Sequence, residues 1–156
     1  MVQRRLQGMG ALQLQSNRWI LPYTSEHEQF LNKISADLVR QHNSGHFHLW
    51  QADNDIQQHD LIDKFQSERQ QEYAELANQE QQFLQTLAHD MQAEQWTFEK
   101  LEAHEHSLHK LSVRLRSIQQ RDFFPPSDKL ATVDLFERCD QTVYEFALTV
   151  YTHNSS

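Results

Sequence analysis

Residues 101–129, LEAHEHSLHKLSVRLRSIQQRDFFPPSDK, decide the fold, because they hold the clearest helical pattern in the chain and its end. The seam positions step by three and four residues, the spacing of a helix that buries one side in a bundle. They are Leu101, His104, Leu108, Leu111, Leu115 and Ile118. Pro125 and Pro126 close the stretch, since a proline disfavours helical backbone in the residue before it. The stretch therefore predicts one bundle helix that ends at a sharp corner.

The chain on either side of this stretch also has helical spacing. A long helix is predicted over about 55–92, and the break expected near 92–95 carries no Gly or Pro. A last helix after residue 128 has one apolar face, formed by Phe136, Cys139, Val143, Phe146 and Val150. Short connections favour antiparallel neighbours, so a three-helix antiparallel bundle is expected over about 55–152.

Polar residues precede three helices and can cap them, because their side chains accept hydrogen bonds from the first unpaired N–H groups. The candidates are Thr24 or Ser25 for a helix that stops near Gly45, Asp53 or Asp55 for the long helix, and Ser127 or Asp128 for the last. Glu28 lies three residues after Ser25, which would complete a capping box.

The first third of the chain combines short strand patterns with a helix. ALQLQSNRWILP, residues 11–22, has two alternating runs around a turn and predicts a β-hairpin. HFHLWQA, residues 46–52, alternates again and predicts a strand. We therefore expect a small α+β unit over 1–55, within a single, mostly helical domain that spans 1–156.

The charge of the chain restricts its partners. Its formal net charge is −8, with a balance of +2 in residues 1–40 and −10 in residues 41–156. An acidic chain is repelled by DNA unless its positive charge is concentrated. The possible nucleic-acid contacts are therefore two trios, Arg4, Arg5 and Arg18, or Lys110, Arg114 and Arg121.

The second trio has two interpretations. On a helix, Lys110, Arg114 and Arg121 fall within about 40° of one another, on a shoulder beside the apolar seam. Three cations there could contact phosphates. They could equally neutralise acids of the preceding long helix, and surface pairs of that kind contribute little stability.

Ten histidines raise the question of a metal site. The candidate sets are Glu102 with His106, Glu105 with His109, and His42 with His46 and His48, while His104 falls on the seam. Neither helical pair has a third fixed ligand, which zinc sites require. Solvated histidines are the other interpretation, and no metal or cofactor is expected.

Catalytic motifs do not stand out in the sequence. Cys139, the single cysteine, lies in an apolar face and is expected to be a buried, inert thiol. The acid pairs Asp60–Asp63 and Glu72–Glu75 lie on an acidic helix. No stretch is apolar enough for a membrane span. We therefore expect a cytoplasmic, non-enzymatic protein without membrane contact.

One arginine lies between two aromatic residues on the inward face of the long helix. Phe65, Arg69 and Tyr73 are spaced i, i+4 and i+8. A buried arginine must be paired, and Glu72 is the nearest acid on the helix, with Asp122 as a long-range candidate. Arg69 is therefore either structural or a contact for an anion.

Three segments, in this order and at this spacing, resemble the N-terminal domain of the chromate-resistance regulator family ChrB. They are VQRRLQGMGALQLQSNRWILP (2–22), DKFQSERQQEYAEL (63–76) and RDFFP (121–125). The resemblance implies a chromate-responsive transcriptional regulator. It also implies a first part similar to the ferredoxin-like domain of the phenylacetate-pathway repressor and of small CRISPR-associated ribonucleases. If RDFFP recurs because it fixes a helix corner, Phe123 and Phe124 plug the core there.

The chain departs from the family pattern in two ways. Family members commonly carry a second, C-terminal domain, and they begin with an apolar strand before the first helix. In the related ribonucleases that strand supplies a metal-binding aspartate, so a nuclease is not expected. Either the true start lies upstream, or the small, incomplete sheet closes up directly or is completed by a second subunit. We expect a homo-oligomer or a rearranged sheet.

The sequence leaves three hypotheses. The first is a ChrB-like regulatory domain that acts through DNA or a partner protein and responds to chromate or another anion. The second is a helical interaction or oligomerisation module, and the third is a His/Glu metal-dependent protein. Cations gathered on one face would favour the first, a large exposed apolar patch the second, and a convergent His/Glu pocket the third.

Overall fold

The computed structural model describes residues 2–43 and 45–155. Within them the chain forms five helices and a two-stranded sheet, the mostly helical α+β fold that the sequence predicts. The elements are α1 (Val2–Gly8), β1 (Leu12–Gln15), β2 (Arg18–Ile20), α2 (Ser25–Arg40), α3 (Asp55–Gln92), α4 (Phe98–Gln120) and α5 (Lys129–His153).

The chain divides into two compact units. The N-terminal unit comprises Met1–Phe65 and Gln120–Phe124, and the helical unit comprises Gln66–Gln119 and Pro125–Ser156. The long helix α3 therefore contributes its first residues to the N-terminal unit and the rest to the helical unit.

The predicted hairpin forms in the N-terminal unit. β1 and β2 pair antiparallel, with Leu12 opposite Ile20 and Gln13 opposite Trp19, and the register is irregular between Gln13 and Gln15. Beside the hairpin, a small core is built on buried apolar side chains of the helices and the first turn, namely Leu6, Ala11 and Ile34, with Phe30, Leu31 and Leu38 packed against them.

The strand predicted at 46–52 is wrong. These residues have no regular secondary structure, and the side chains of Leu49 and Trp50 are 71% and 58% exposed. Alternation stabilises a strand when one face is buried and a neighbouring edge accepts its hydrogen bonds. In the described part of the chain, β1 and β2 pair with each other alone. The predicted combination of hairpin, helix and strand is therefore realised as hairpin and helix.

Three helices surround the core of the helical unit. Its buried members are Tyr73, Leu76, Phe83 and Leu87 from α3, Leu101, Leu111, Leu115 and Ile118 from α4, and Cys139, Val143, Phe146 and Val150 from α5. The apolar seams of all three helices thus meet as the spacing of the sequence predicts.

The helix caps differ in part from the prediction. Thr24 caps α2, with its hydroxyl accepting from the N–H of His27 at 3.0 Å. Glu28 does not complete a capping box and instead accepts a hydrogen bond from the Tyr23 hydroxyl. Asn54, not Asp53 or Asp55, caps α3, because its Oδ1 accepts from the N–H of Gln57 at 2.9 Å.

The last helix follows Asp128, as predicted, but Asp128 makes no side-chain cap hydrogen bond. Its carboxylate accepts instead from the Gln70 amide at 3.1 Å. The acid therefore joins α3 to the start of α5 within the helical unit.

The break between α3 and α4 falls where it is expected, although no Gly marks it. Glu94 adopts a left-handed backbone conformation with φ of 54°. The N–H of Gln95 donates to the carbonyl of Asp90 and the N–H of Glu94 to that of Met91. This is the Schellman pattern that satisfies the last carbonyls of a helix.

Candidate functional site

The RDFFP corner packs against the first turn of the chain. The Phe123 ring lies 5.0 Å from the His27 ring and 6.2 Å from the Phe65 ring, and Phe124 lies 5.5 Å from Phe65. Gly10 has φ of 87°, and a Cβ there would come within 2.8 Å of Phe123. Phe123 and Phe124 are half-buried and pack on the rings of His27 and Phe65. Phe123 also approaches residue 10 so closely that a glycine is required there.

Arg69 is buried and ion-paired, as predicted. Its side chain is 8% exposed, and its guanidinium lies 3.0 Å from Glu72 and 3.2 Å from Glu68. Glu72, the nearest acid on the helix, is therefore a partner of Arg69. Pairing of Arg69 with Asp122 stays a prediction. Tyr73, one turn further on, is fully buried. Two carboxylates on its own helix already neutralise Arg69, which favours the structural interpretation over the anion contact.

The first cationic trio is not a set of three unpaired cations. Arg4 and Arg18 are exposed, but Arg5 lies 2.9 Å from Asp37, which also contacts Arg40. The hydrogen bond from Arg5, supported by Arg40, holds the pKa of Asp37 below its usual range. The Arg5 guanidinium also lies 6.0 Å from the Phe30 ring. Arg5 thus ties α1 to α2.

Two members of the second trio, Lys110 and Arg114, belong to α4. α4 ends at Gln120, so Arg121 follows the helix and belongs to the N-terminal unit. The helical spacing of the trio therefore applies within α4 to Lys110 and Arg114, and the contacts predicted for all three cations stay a prediction. Lys110 and Arg114 remain one turn apart on α4, in the helical unit. Arg114 lies 3.0 Å from Glu75, in line with the ion-pairing interpretation.

Lys110 and Arg114 line a groove between α3 and α4, with a cavity of about 470 Å³. One wall consists of Gln79, Gln82 and Thr86 from α3, and the other of Ser107, Lys110 and Arg114 from α4, over Phe83, His104 and Leu111. We call this feature the α3–α4 groove. The sequence pattern indicates the cations of the groove but not its α3 wall, whose exposed positions at 79, 82 and 86 have the helical spacing i, i+3, i+7 that could have indicated it.

A buried His–Asp pair lies beneath the groove. The His104 Nε2 is 2.8 Å from the Asp90 Oδ2, and both residues are 5% exposed. The Lys100 ammonium lies 3.6 Å from the other oxygen of Asp90. The His104 ring also packs edge-on against Phe146 at 5.1 Å and Phe83 at 6.1 Å. These contacts fix the ring orientation, and explain how a histidine occupies a seam position.

Glu80 is a second buried acid, which sequence analysis missed. It is fully buried in the helical unit, and neither carboxylate oxygen has a hydrogen-bond partner among the described residues. Burial raises its pKa from an ordinary 4.5 to about 7. The seam of α3 steps through 73, 76, 80, 83 and 87, so its position in that row is the signal that could have indicated its burial.

Cys139 is buried, as predicted. Its thiol donates to the backbone carbonyl of Glu80 at 3.6 Å. Burial and the nearby Glu80 carboxyl raise the pKa of the thiol to about 12. The thiolate that nucleophilic chemistry requires is therefore not formed near neutral pH.

The histidine candidates do not converge. Glu102, Glu105, His106 and His109 are exposed on α4, as are His42, His46 and His48 in the N-terminal unit. The His46 and His48 rings stack edge-on at 5.1 Å. Within residues 2–43 and 45–155, no group of three or more His, Cys, Asp or Glu side chains is placed to hold a metal ion.

The fold is that of a small and mostly helical α+β domain. The family model described as Protein ChrB, N-terminal, matches residues 1–156. The chain therefore belongs to the ChrB N-terminal family, and the resemblance of the three segments is confirmed. No curated protein and no solved structure matches it. Among the described residues, none of the helices has the length and apolar character needed to cross a membrane.

Proposed function

We propose that this chain is a non-enzymatic, cytoplasmic regulatory domain that responds to chromate or a similar anion and acts through DNA. The observation that carries the proposal is the family match over residues 1–156, which relates the chain to chromate-resistance regulation. The environment of Cys139 also supports a role without nucleophilic chemistry, because burial keeps its thiol protonated.

The cations that support DNA contact are fewer than the sequence suggests. Arg4 and Arg18 are exposed, and Lys110 is exposed on α4. Arg5 and Arg114 hold carboxylates and would exchange them for phosphates. With a net charge of −8, binding through so few contacts should be weak at physiological salt and should fall with added salt.

The test is a binding titration with the DNA upstream of the protein's own gene, with and without chromate, across salt concentrations. We expect the logarithm of the association constant to fall linearly with the logarithm of salt. Replacing Arg4 and Arg18 with Gln should flatten that slope by about one unit for each lost phosphate contact. A slope that is the same in this variant and in the unchanged protein would contradict these contacts, and no binding at low salt would contradict a DNA-binding role.

A second candidate function is oligomerisation or binding of a partner protein through the helical unit. Tyr144, Leu148 and Tyr151 are spaced i, i+4 and i+7 on α5 and are 58%, 51% and 61% exposed. The Phe98 ring packs edge-on against Tyr151 at 5.1 Å and is itself 48% exposed. We call these four side chains, with Phe98 of α4 included, the α5 apolar face. Such clusters on a surface are typical of contacts between proteins.

A further inference from the structure

We infer that the α3–α4 groove binds a small tetrahedral oxyanion, with Lys110 and Arg114 as its cationic contacts. This inference rests on the proposed function, because it assigns a binding site to the anion to which the domain is proposed to respond. It is carried by the charge of the groove and the donors on its two walls.

The groove is cationic in an acidic chain. The net charge of the chain is −8, yet among the described residues no Asp or Glu lines the cavity, which carries Lys110 and Arg114. Within the described residues, no carboxylate lies within ion-pair distance of the Lys110 ammonium. A dianion in the groove would therefore meet two cations without an acid on the lining.

The ion pair at the end of the groove does not close it. Arg114 pairs with Glu75, but their side chains are 35% and 58% exposed. Exposed pairs of this kind contribute about 1 kcal/mol or less. An oxyanion offers the guanidinium two or more charge-assisted hydrogen bonds, so Arg114 can exchange Glu75 for the anion.

Neutral donors complete the site from both walls. The amides of Gln79 and Gln82 stand on α3, and the Ser107 hydroxyl stands on α4 one turn before Lys110. The Thr86 hydroxyl donates to the Gln82 carbonyl at 3.1 Å, so we do not count it as a contact. A tetrahedral oxyanion has acceptor oxygens that point in several directions. Donors on opposite walls can reach more of these oxygens than a single row of cations can.

His104 forms the base of the groove without adding a donor to it. It is 5% exposed and its Nε2 donates to Asp90, so the Nδ1 of the neutral ring carries a lone pair and the anion contacts must come from the two walls. His104 lines the cavity of about 470 Å³. The cavity has room for an oxyanion and bound waters, since one water takes about 30 Å³ in the liquid.

The experiment is calorimetric titration of the full chain with sodium sulfate and, separately, with sodium chromate at low ionic strength. We expect one site per chain for each anion. The double variant Lys110→Gln/Arg114→Gln should weaken binding at least about tenfold, because two charge-assisted contacts are lost. Lys110 is exposed and Arg114 is half-buried, and a thermal melt of each variant establishes that it is folded.

The matched control is Arg116→Gln/Arg138→Gln. It removes the same charge from α4 and α5 at exposed positions that do not line the cavity. Affinity within about twofold of the unchanged protein is expected for this control. Equal weakening in both double variants would show a general charge effect and would overturn the site, as would the absence of binding to either anion at millimolar concentration.

The same variants separate this inference from the proposed function. If chromate changes the DNA association constant of the unchanged protein and of Lys110→Gln/Arg114→Gln by the same factor, whatever DNA contacts the variant itself loses, the effector binds elsewhere and the inference is overturned while the function stands. If both anions bind the groove but chromate leaves DNA binding unchanged, the site stands and the proposed function fails.

Discussion

Glu80 is the residue whose environment has the clearest energetic consequence. Its carboxylate is buried without a hydrogen-bond partner among the described residues, and burial raises its pKa to about 7. Because the folded-state pKa exceeds the unfolded one, the native state holds the proton more tightly. The stabilisation from this proton is complete below pH 4.5 and is lost as the pH rises through about 7.

Glu80→Gln should therefore stabilise the protein at about pH 8 by roughly 1–3 kcal/mol, with a several-fold smaller effect at about pH 5. The measurement is urea unfolding at both pH values. The control is Glu137→Gln, an exposed acid on α5 that should change the midpoint little at either pH. Destabilisation by Glu80→Gln at high pH would mean that the carboxylate has a partner.

Arg69 tests the opposite case, a buried charge that is paired. Its neighbours Glu72 and Glu68 are 27% and 44% exposed, so after its removal these acids can still reach water. We expect Arg69→Met to lower the free energy of unfolding by about 2–3 kcal/mol, because the ion pairs with both acids are lost. Denaturant midpoints measure this. Arg116→Met, at an exposed site, should stay within about 0.5 kcal/mol, and an equally small shift for Arg69 would contradict its structural role.

For a single residue, the sequence predicts burial when the neighbouring residues on the same helix face are apolar. Arg69 was identifiable because two aromatics flank it at helical spacing. Glu80 was not, because an acid in a polar helix is normally assigned to the solvated face. Its place in the α3 seam is the local signal of its burial, whereas its contact with α5, where Cys139 donates to its carbonyl, has no local pattern.

Among the elements, the helices were predictable and the strand at 46–52 was not. The spacing of three and four residues persists over α4 and is independent of the neighbours, whereas a strand depends on an edge that accepts its hydrogen bonds. The position of the break between α3 and α4 was predictable, but the reason for the break was not. Its cause is the positive φ of Glu94, which any sequence pattern would assign to glycine.

Glu94→Gly should accordingly stabilise the helical unit. Glu94 has φ of 54°, a conformation that costs a residue with a side chain about 1 kcal/mol relative to glycine. We expect a gain of about 0.5–1 kcal/mol, measured by thermal and urea unfolding. Glu94→Ala keeps the unfavourable Cβ and serves as the control, with no gain expected. Equal stability of the two variants would mean that backbone conformation does not determine the energy of this turn.

For the whole molecule, the sequence indicated the family and the net charge but did not indicate a surface for self-association. The open sheet suggested an oligomer, yet β1 and β2 have four and three residues and an irregular register, which limits pairing at an edge. The α5 apolar face offers a more continuous surface, with four exposed apolar or aromatic side chains on one unit. We propose that a second copy of the chain covers this face.

We therefore expect light scattering to show a molar mass that rises with concentration. Leu148→Lys should abolish that rise, because it places a charge in the middle of the α5 apolar face, where Leu148 is 51% exposed. Leu14→Lys makes the same change on β1, where Leu14 is 42% exposed, and Val39→Lys makes it on α2, where Val39 is 68% exposed. Neither should affect association. A monomer at every concentration would contradict self-association, and loss of the rise in Leu14→Lys alone would assign it to the sheet edge, since a lysine there blocks pairing of strands between chains.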